Sequence, residues 1–216
     1  RGEIAQGMFV NFKNVLDTSR KKIPFGIASQ GKAFRNEITP GNFIFRTREF
    51  NLMEFEYFIR EGEWEKWFEY WQEEMREWLK DLGVDLKHIH ELEIPDGERA
   101  HYSKRTIDFE YEYPFGQKEL YGLAYRADFD LKNHEKFSGQ NLKYKDPETG
   151  EEFIPHVIEP TFGLDRSVLV ALLEAYCEEK DRIVLKLPPK LSPIKAAVFP
   201  LLANKPELVK KAREVY

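Results

Sequence analysis

Residues 34–58 read FRNEITPGNFIFRTREFNLMEFEYF, and the order of charges in this stretch guides the interpretation of the whole chain. After Asn51 the odd positions are apolar, which is the alternation of a β-strand with one face in a core. The even positions place four charged side chains on the opposite face, in the order Arg46, Arg48, Glu54 and Glu56. Charge is therefore separated by sign along one face of the predicted strand.

The residues before this strand repeat the theme. Arg35 and Glu37 lie two positions apart, and ITPGN at 38–42 is a turn signal. The pattern predicts a hairpin of strands 25–38 and 43–59, with arginines of both strands near the turn. Clustered guanidinium groups bind phosphate or carboxylate, and a pair of glutamates binds an ammonium group or a metal ion. The alternative interpretation is an ordinary solvent-exposed sheet face with mixed charges.

The composition indicates one large domain, or one domain and part of a second, since 42% of the 216 residues are hydrophobic. A net charge of −5 gives no basic surface of the kind that marks a nucleic-acid-binding domain, so any polynucleotide contact must be local. The single cysteine, Cys177, excludes a disulfide framework and fits a reducing compartment. No apolar run is long enough to span a bilayer. The start at Arg1 leads us to expect part of a longer protein.

Two amphipathic helices are predicted in the first part of the chain. The first covers residues 8–22 and ends in a basic last turn. The second covers residues 61–82, where all four tryptophans of the chain recur at steps of three and four, with Gly83 as its C-cap. A tryptophan row can line a ligand site, but this periodicity favours packing against a sheet.

The later sequence alternates strand and turn signals. Strands are predicted at 105–113 and 118–131, and a hairpin at 144–153. An apolar strand then breaks at Pro160 and Gly163 and continues as a helix with Asp165 and Arg166 in its first turn. Because the helix dipole disfavours a cation at this end, we expect Arg166 to have a partner outside the helix.

The words FRNE and FRTREF resemble motif 2 of class II aminoacyl-tRNA synthetases, whose core residues would be Arg35, Glu37, Arg46 and Phe50. GLDR before a helix resembles motif 3, with Arg166 as its arginine. The longer words GEIAQGMFVNFKNVLD, HVIEPTFGLDR and IVLKLPPKLSPIKAAVFPL are similar to the dimeric glycyl-tRNA synthetases. This similarity runs from about residue 3 to the end of the chain.

The resemblance implies an α+β fold, an antiparallel sheet flanked by helices, in a catalytic core at 1–186. Motif 2 would lie at about 25–59 and motif 3 at about 157–178. A proline-rich linker at 187–194 would lead to the first strand and helix of an α/β anticodon-binding domain at 195–216. Motif 1, which builds the dimer interface of the family, would precede Arg1.

The resemblance also implies a reaction, in which glycine and ATP form glycyl adenylate and the glycyl group then passes to tRNA(Gly). Arg35 and Arg166 would be catalytic, Phe50 would stack on adenine, and Glu119 would be a Mg²⁺ ligand. The expected ATP-binding residues are Arg35, Asn36, Glu37, Phe45, Arg46, Arg48, Phe50, Glu119, Leu120, Gly163, Asp165 and Arg166. The expected glycine-binding residues are Glu3, Phe50, Glu54, Glu56, Glu159, Thr161 and Gly163.

Glycine offers no side chain to bind, so the resemblance implies a small, negatively charged pocket without an editing domain. The expected protein is a cytoplasmic homodimer. The sequence departs from the family at two places. The family word RPETAQG is RGEIAQG here, so Gly2 and Ile4 replace proline and threonine while Glu3 is kept. Thr161 replaces the usual serine.

Two alternatives remain open at this point. The chain could be a synthetase-like accessory subunit without catalysis, although such proteins need not keep the phosphate-binding arginines. It could also be a class II synthetase for another small amino acid, alanine or serine. The HIH word at 88–90 is interpreted as a surface loop rather than a metal site.

Overall fold

The computed structural model describes all residues, 1–216, and contains five α-helices and ten β-strands. The helices are α1 Ala5–Ser19, α2 Trp64–Asp81, α3 Phe129–Ser138, α4 Leu164–Ala175 and α5 Pro206–Val215. The longer strands are β1 Phe25–Phe34, β2 Glu49–Ile59, β3 Ile89–Glu93, β4 Arg105–Tyr113, β5 Gly116–Ala127 and β8 His156–Gly163. The short strands are β6 Tyr144–Lys145, β7 Glu152–Phe153, β9 Tyr176–Glu178 and β10 Ile183–Leu185.

One antiparallel sheet organises the molecule, with the strand order β1-β2-β8-β5-β4-β3. The strand β8 lies at its centre although it comes late in the chain, between β2 and β5. The short strands form two separate hairpins, β6 with β7 and β9 with β10. The predicted α+β fold, an antiparallel sheet flanked by helices, is confirmed.

The first face of the sheet is covered by α2 and α4. The largest core cluster joins Phe68, Met75 and Leu79 of α2 and Val170 of α4 to inward residues of β2, β4, β5 and β8. All four tryptophans of α2 pack against this cluster, and Trp64 stacks on Tyr125 with ring centroids 4.6 Å apart. The predicted packing of the tryptophan row against a sheet is therefore confirmed, as is Gly83 just beyond the helix with φ of +80°.

The second face is covered only in part. Helices α1 and α3 pack there through Phe9, Phe12 and Leu131 against Phe58 of β2 and Val157 of β8. Further along the same face, alternate residues of β2 and β8 are charged or polar, namely Glu54, Glu56, Glu159 and Thr161. An open, polar region of the sheet therefore lies beside a packed apolar one.

The predicted hairpin is present as β1 and β2, but its strands are shorter than predicted. The strand β1 ends at Phe34 and β2 begins at Glu49, so Arg46 and Arg48 lie in a loop. That loop, residues 35–48, is closed by backbone bonds between Gly41 and Arg46. Asn42 and Phe43 adopt left-handed φ values of 55° and 57°, which a strand does not accommodate.

Three further boundaries differ from the sequence prediction. The first helix ends at Ser19, so the basic residues 20–22 follow it rather than form its last turn. The strand predicted at 118–131 ends at Ala127, and residues 129–138 form α3. His88 and His90 lie at a 3-10 turn and in β3, paired with Glu174 and Glu112, rather than in a surface loop.

Pro160 does not break the central strand, contrary to expectation. It pairs with Leu123 of β5, whereas the ladder to β2 has no paired position at Glu159 or Pro160. Since proline has no N–H to donate, it fits a strand where one ladder is interrupted.

The C-terminal part is simpler than predicted. Residues 195–205 form no strand, because no neighbouring strand accepts their backbone hydrogen bonds, whereas the predicted helix is present as α5. The proline-rich segment is not free, since Leu191 packs against the main core. No helix is both long and apolar enough to cross a membrane.

Candidate active site

A cleft of about 610 Å³ opens where the loop 35–48 meets β2, β5, β8 and the first turn of α4. Its apolar wall includes Ile44, Phe45 and Phe50. Its charged and polar lining residues are Arg35, Glu37, Arg46, Thr47, Asn51, Glu119, Thr161, Asp165 and Arg166. Three guanidinium groups beside aromatic rings suit a ligand that carries several anionic oxygens and a flat ring system.

The loop arginines are oriented by neighbouring backbone and by one carboxylate. Arg35 donates from Nε to the carbonyl of Gly2 at 3.1 Å, and its guanidinium carbon lies 5.1 Å from the ring centre of Phe50. Arg46 donates from Nη1 to Glu37 Oε2 at 3.2 Å. Arg48 donates from Nε to the carbonyl of Glu37 at 3.0 Å. Glu37 therefore fixes Arg46 and Arg48.

Arg166 has the outside partners that its place in the helix requires. Its Nη1 donates to the carbonyl of Glu119 at 2.7 Å and to the Glu119 carboxylate at 3.2 Å. Its guanidinium carbon lies 4.3 Å from the ring centre of Phe45, whose carbonyl accepts from Nε at 3.3 Å. The carboxylate of Glu119 offsets the unfavourable position of a cation in the first turn of α4.

A second cavity of about 980 Å³ adjoins the cleft on the second face of the sheet. Both are lined by Arg35, Glu119, Gly122 and Thr161, so they form one continuous depression with Arg35 at the junction. The second cavity is acidic and includes Glu3, Glu54, Asp108 and Glu159. Carboxylates of this density select a cationic group rather than an anionic one.

The acidic cavity is built around Arg126, whose side chain is only 1% exposed. Arg126 donates from Nε and Nη2 to both carboxylate oxygens of Asp130, at 2.7 and 2.9 Å, and from Nη1 to Glu159. Its guanidinium carbon lies 3.8 Å from the ring centre of Tyr102. Thr161 Oγ1 donates to Glu159 Oε1 at 3.1 Å. The guanidinium thus holds Glu159 in place from beneath.

Comparison with known proteins agrees with this geometry. The family described as tRNA synthetase class II core domain (G, H, P, S and T) matches residues 5–176. The chain belongs to the class II tRNA synthetase core family. The predicted resemblance to this family is thereby confirmed.

Curated relatives of this synthetase core share one name. A glycine–tRNA ligase of Thermus thermophilus is 51% identical over 235 residues, which cover 100% of the chain and 46% of the relative. A glycine–tRNA ligase of Alkaliphilus oremlandii is 53% identical, with 100% of the chain and 47% of the relative covered. One of Thermobifida fusca is 50% identical, with 100% and 49% covered. The chain spans about half the length of the curated relatives it matches.

The synthetase core brings most of the predicted site residues together. The predicted ATP-binding residues all line the first cleft except Asn36 and Arg48. Four of the predicted glycine-binding residues line the second cavity, namely Glu3, Glu54, Glu159 and Thr161. Phe50 and Gly163 line the first cleft only. Glu56 lines neither and is fully buried, so the structure does not support a direct contact between Glu56 and a ligand.

Burial raises the pKa values of two glutamates on β2 of the synthetase core, Glu54 and Glu56. Burial, and then the nearby charge of Glu159, raises the pKa of Glu54 to about 7. The same two causes raise the pKa of Glu56 well above its usual range. For Arg126, burial opposes the charged form, but Glu159 and Asp130 outweigh it and raise the pKa. Glu54 therefore titrates near neutral pH, whereas Arg126 stays charged.

The donor set near Glu119 fits a divalent cation that also binds phosphate. Asp108 of β4 and Glu119 of β5 approach each other across neighbouring strands, and burial and the charge of Glu119 raise the pKa of Asp108 to about 7. No group of three or more His, Cys, Asp or Glu residues is arranged so that it could hold a metal ion by itself. Mg²⁺ is commonly held by one or two carboxylates together with phosphates and water, which this pair could provide.

The residues that support the acidic cavity were not predicted from the sequence. Arg126, Asp130 and Tyr102 were not singled out, although all three surround Glu159. One signal was present, because Arg126 interrupts an otherwise apolar strand and has an aspartate four residues later. Gln6 was also missed; its Nε2 donates to Glu3 and to Asp130, and His134 contacts its Oε1 at 2.7 Å.

Proposed function

We propose that the protein containing this chain is a glycyl-tRNA synthetase. It activates glycine with ATP to glycyl adenylate and pyrophosphate, and transfers the glycyl group to the terminal adenosine of tRNA(Gly). The observation that carries the proposal is the junction of the two cavities at Arg35, with arginines on one side and carboxylates on the other. The names of the relatives support glycine and favour neither an accessory subunit nor alanine or serine as substrate.

The first cleft is the proposed ATP site. The rings of Phe45 and Phe50 provide an apolar wall for adenine, and Arg46 and Arg166 are held where they can bind the outer phosphates. Arg166 already shares its charge with Glu119, at 3.2 Å, so its orientation is set before a phosphate binds. Pre-oriented donors of this kind stabilise charge without reorganisation during the reaction.

The second cavity is the proposed glycine site. Glu54 and Glu159 accept the hydrogen bonds of the ammonium group, and Glu3 adds negative charge at the pocket entrance. In this proposal the side chain of Thr161 and the carboxylates occupy the space that a larger amino acid would need beside its α-carbon. Exclusion by size is sufficient here, because no amino acid is smaller than glycine.

Arg35 lies where the two substrates meet. An oxygen of the glycine carboxylate forms a bond to the α-phosphorus while the bond from that phosphorus to the bridging oxygen breaks, and pyrophosphate leaves with both electrons. The planar guanidinium can bind the carboxylate and the α-phosphate together, which aligns them and stabilises the charge that develops. No side chain has to remove a proton, because the attacking carboxylate is already ionised.

Asp108 and Glu119 are the residues that would hold Mg²⁺ in this proposal. When bound, the ion would neutralise charge on the phosphate oxygens. Glu119 lines both the cleft and the acidic cavity, whereas Asp108 lines only the acidic cavity beside it. Removal of Mg²⁺ by a chelator is therefore expected to stop glycine activation.

The remaining partners follow from the same function. The segment after residue 194 is proposed to begin an anticodon-binding domain, and dimerisation is proposed to occur in the full-length protein, as in the family that the sequence resembles. Translation takes place in the cytoplasm, which is the location that the proposed function implies.

The test is amino-acid-dependent exchange between ATP and pyrophosphate on the full-length protein, with glycine, alanine and serine. We expect exchange with glycine only, and at least a 100-fold lower rate for Arg35→Ala, since single donors to developing charge contribute on the order of 10² to 10³ in rate. Arg48→Ala is the matched control in the same loop, because Arg48 binds backbone and does not line the cleft. Absence of exchange with all three amino acids by a folded protein would exclude the proposed activity.

A further inference from the structure

We propose that the ligand-free glycine pocket carries a proton on Glu54 and that the ammonium group of the substrate replaces this proton on binding. The inference rests on the proposed function, because it concerns the same pocket. Binding is then an exchange of one positive charge for another, and glycine affinity depends on pH through the protein.

The first step is the charge of the pocket. Five carboxylates face one another from four parts of the chain, the N-terminal segment, β2, α3 and β8, and they are Glu3, Glu54, Glu56, Asp130 and Glu159. The single cation packed among them is Arg126. Full ionisation would leave a large surplus of negative charge in a buried site, and an isolated buried carboxylate takes up a proton instead.

The second step is how the available partners are distributed. Arg126 is committed to Asp130 and Glu159. Glu3 accepts from the Gln6 side chain at 2.9 Å. Glu54 accepts only one backbone N–H, from Ile4 at 3.1 Å, although its residue is 2% exposed. Glu54 is thus a buried carboxylate without a cationic partner.

The third step separates Glu54 from Glu56. Both oxygens of Glu56 are buried and have no hydrogen-bond partner, so Glu56 is also expected to hold a proton. However, Glu56 does not line the cavity, whereas Glu54 does. A substrate ammonium group can therefore reach Glu54 but not Glu56. The raised pKa of Glu54, about 7, agrees with this assignment.

The other charged groups around the cavity do not supply the missing cation. The ring of Tyr102 stacks on Arg126. The remaining titratable lining residues are Arg35, Glu98, Arg99, Asp108 and Glu119. Arg99 is occupied by Asp96 and by the carbonyls of Ile94 and Lys104. Arg35 donates to the Gly2 carbonyl and stacks on Phe50 at the junction with the other cleft.

The exchange balances in protons and charge. The O–H bond of the Glu54 carboxylic acid breaks, the proton leaves to solvent, and the resulting carboxylate accepts an N–H of the ammonium group. Arg126 and its two carboxylates keep their protonation because they remain paired. The charge inside the pocket is the same before and after binding.

The experiment is isothermal titration calorimetry of the full-length protein with 5′-O-(glycylsulfamoyl)adenosine, in buffers that differ in ionisation enthalpy. The slope of binding enthalpy against buffer enthalpy gives the number of protons released per ligand. The hydroxyacetyl counterpart is the matched control ligand, because a hydroxyl group replaces its ammonium group. With a pocket pKa of about 7, release should be about 0.9 proton at pH 6, where the amino group of the free ligand is already ionised, and it should fall as the pH rises.

Two variants locate the proton. Glu54→Gln should abolish the release and weaken the glycyl ligand about tenfold or more, while Glu56→Gln should leave the release unchanged. If Glu54→Gln does not bind, difference infrared spectroscopy of the wild-type protein replaces it. The band of one protonated carboxyl group should then disappear on binding of the glycyl ligand and persist with the hydroxyacetyl ligand.

The outcomes separate the two proposals. Tight binding of the glycyl ligand with no proton release at pH 6 would overturn the proton exchange and leave the proposed function intact. Release that persists in Glu54→Gln and is lost in Glu56→Gln would overturn the assignment to Glu54. Failure of a folded protein to bind either ligand would overturn the proposed function, and the exchange with it.

Discussion

At the scale of single residues, the proposed glycine pocket depends on one guanidinium group, that of Arg126, which is not among the lining residues. Arg126 forms ion pairs with Asp130 and Glu159, and its guanidinium group stacks on the ring of Tyr102. This is a buried ion-pair network in which removal of the cation leaves two carboxylates unpaired. The position of Glu159, and with it one acceptor for the ammonium group, follows from Arg126.

Arg126→Met is therefore expected to lower the free energy of unfolding by about 3–5 kcal/mol, because it leaves uncompensated buried charge. Arg182→Met is the control, since the pair of Arg182 with Glu179 is exposed and should contribute less than about 1 kcal/mol. Urea-induced unfolding followed by circular dichroism measures both. Similar losses in the two variants would contradict the role assigned to the network.

Thr161 tests the other support of Glu159. Thr161→Val keeps the shape of the side chain but removes the hydroxyl that donates to Glu159 Oε1 at 3.1 Å. We expect the KM for glycine in pyrophosphate exchange to rise about tenfold, the effect of about 1.4 kcal/mol, with kcat little changed.

Thr161→Ser is the matched control, because it keeps the hydroxyl and removes only the methyl group. Its KM for glycine should stay near that of the wild type, while discrimination against alanine should fall by about tenfold. A larger loss of glycine affinity in the serine variant than in the valine variant would show that the methyl group, and not the hydrogen bond, is what matters.

The sequence could predict residues that line this pocket but not the residues that support them. Glu54 and Glu159 could be predicted because they lie in sequence motifs that resemble a known family. The role of Arg126 could not be predicted, because it depends on contacts with Asp130, Glu159 and Tyr102, which lie in three other parts of the chain. A period-two pattern assigns a residue to a face but does not identify its neighbours across the sheet.

At the scale of elements, prediction succeeded where a local pattern and tertiary packing agree. The tryptophan spacing predicted a helix that is found at Trp64–Asp81 and packs as expected. Prediction failed in the loop 35–48, where alternate residues are apolar as in a strand. Phe45 is 5% exposed because this one residue of the loop packs into the core. The left-handed φ values of Asn42 and Phe43 show that the segment is a loop and not a strand.

The end of α2 gives an element-scale prediction. Gly83 has φ of +80°, and a Cβ there would lie 2.4 Å from Cγ of Pro188. Gly83→Ala should lower the free energy of unfolding by more than about 2 kcal/mol, since backbone strain of about 1 kcal/mol or more adds to a clash. Thermal and urea unfolding measure this loss.

Two glycines separate strain from clash. Gly116 has φ of +109° but open space around its Cβ position, so Gly116→Ala should show the strain alone, about 1 kcal/mol. Gly97 has neither feature, and Gly97→Ala should change stability by less than about 0.5 kcal/mol. An equal effect at Gly83 and Gly116 would mean that Pro188 moves freely and that the proline-rich segment is not docked on α2.

At the scale of the whole molecule, the sheet divides its two faces between stability and chemistry. Helices α2 and α4 cover one face with the main core, whereas α1 and α3 leave the polar part of the other face open. A pocket with several buried carboxylates is costly, and the aromatic packing on the opposite face offsets this cost. The chemistry is thereby placed on a rigid central strand, β8, which is paired on both sides.

The boundary of this folded unit can be located by truncation. No residue after Leu191 belongs to or packs against a core cluster, and α5 has no buried residue. A chain that ends at residue 194 should therefore unfold at the same temperature as the chain of 216 residues. A chain that ends at residue 186 loses the contacts of Pro188 and Leu191, which we expect to cost about 1–2 kcal/mol, or about 2–8 °C in Tm. Differential scanning calorimetry distinguishes these cases. A lower Tm for the 194-residue chain would mean that the segment 195–216 stabilises the core. An unchanged Tm for the 186-residue chain would mean that residues 187–194 are a free linker.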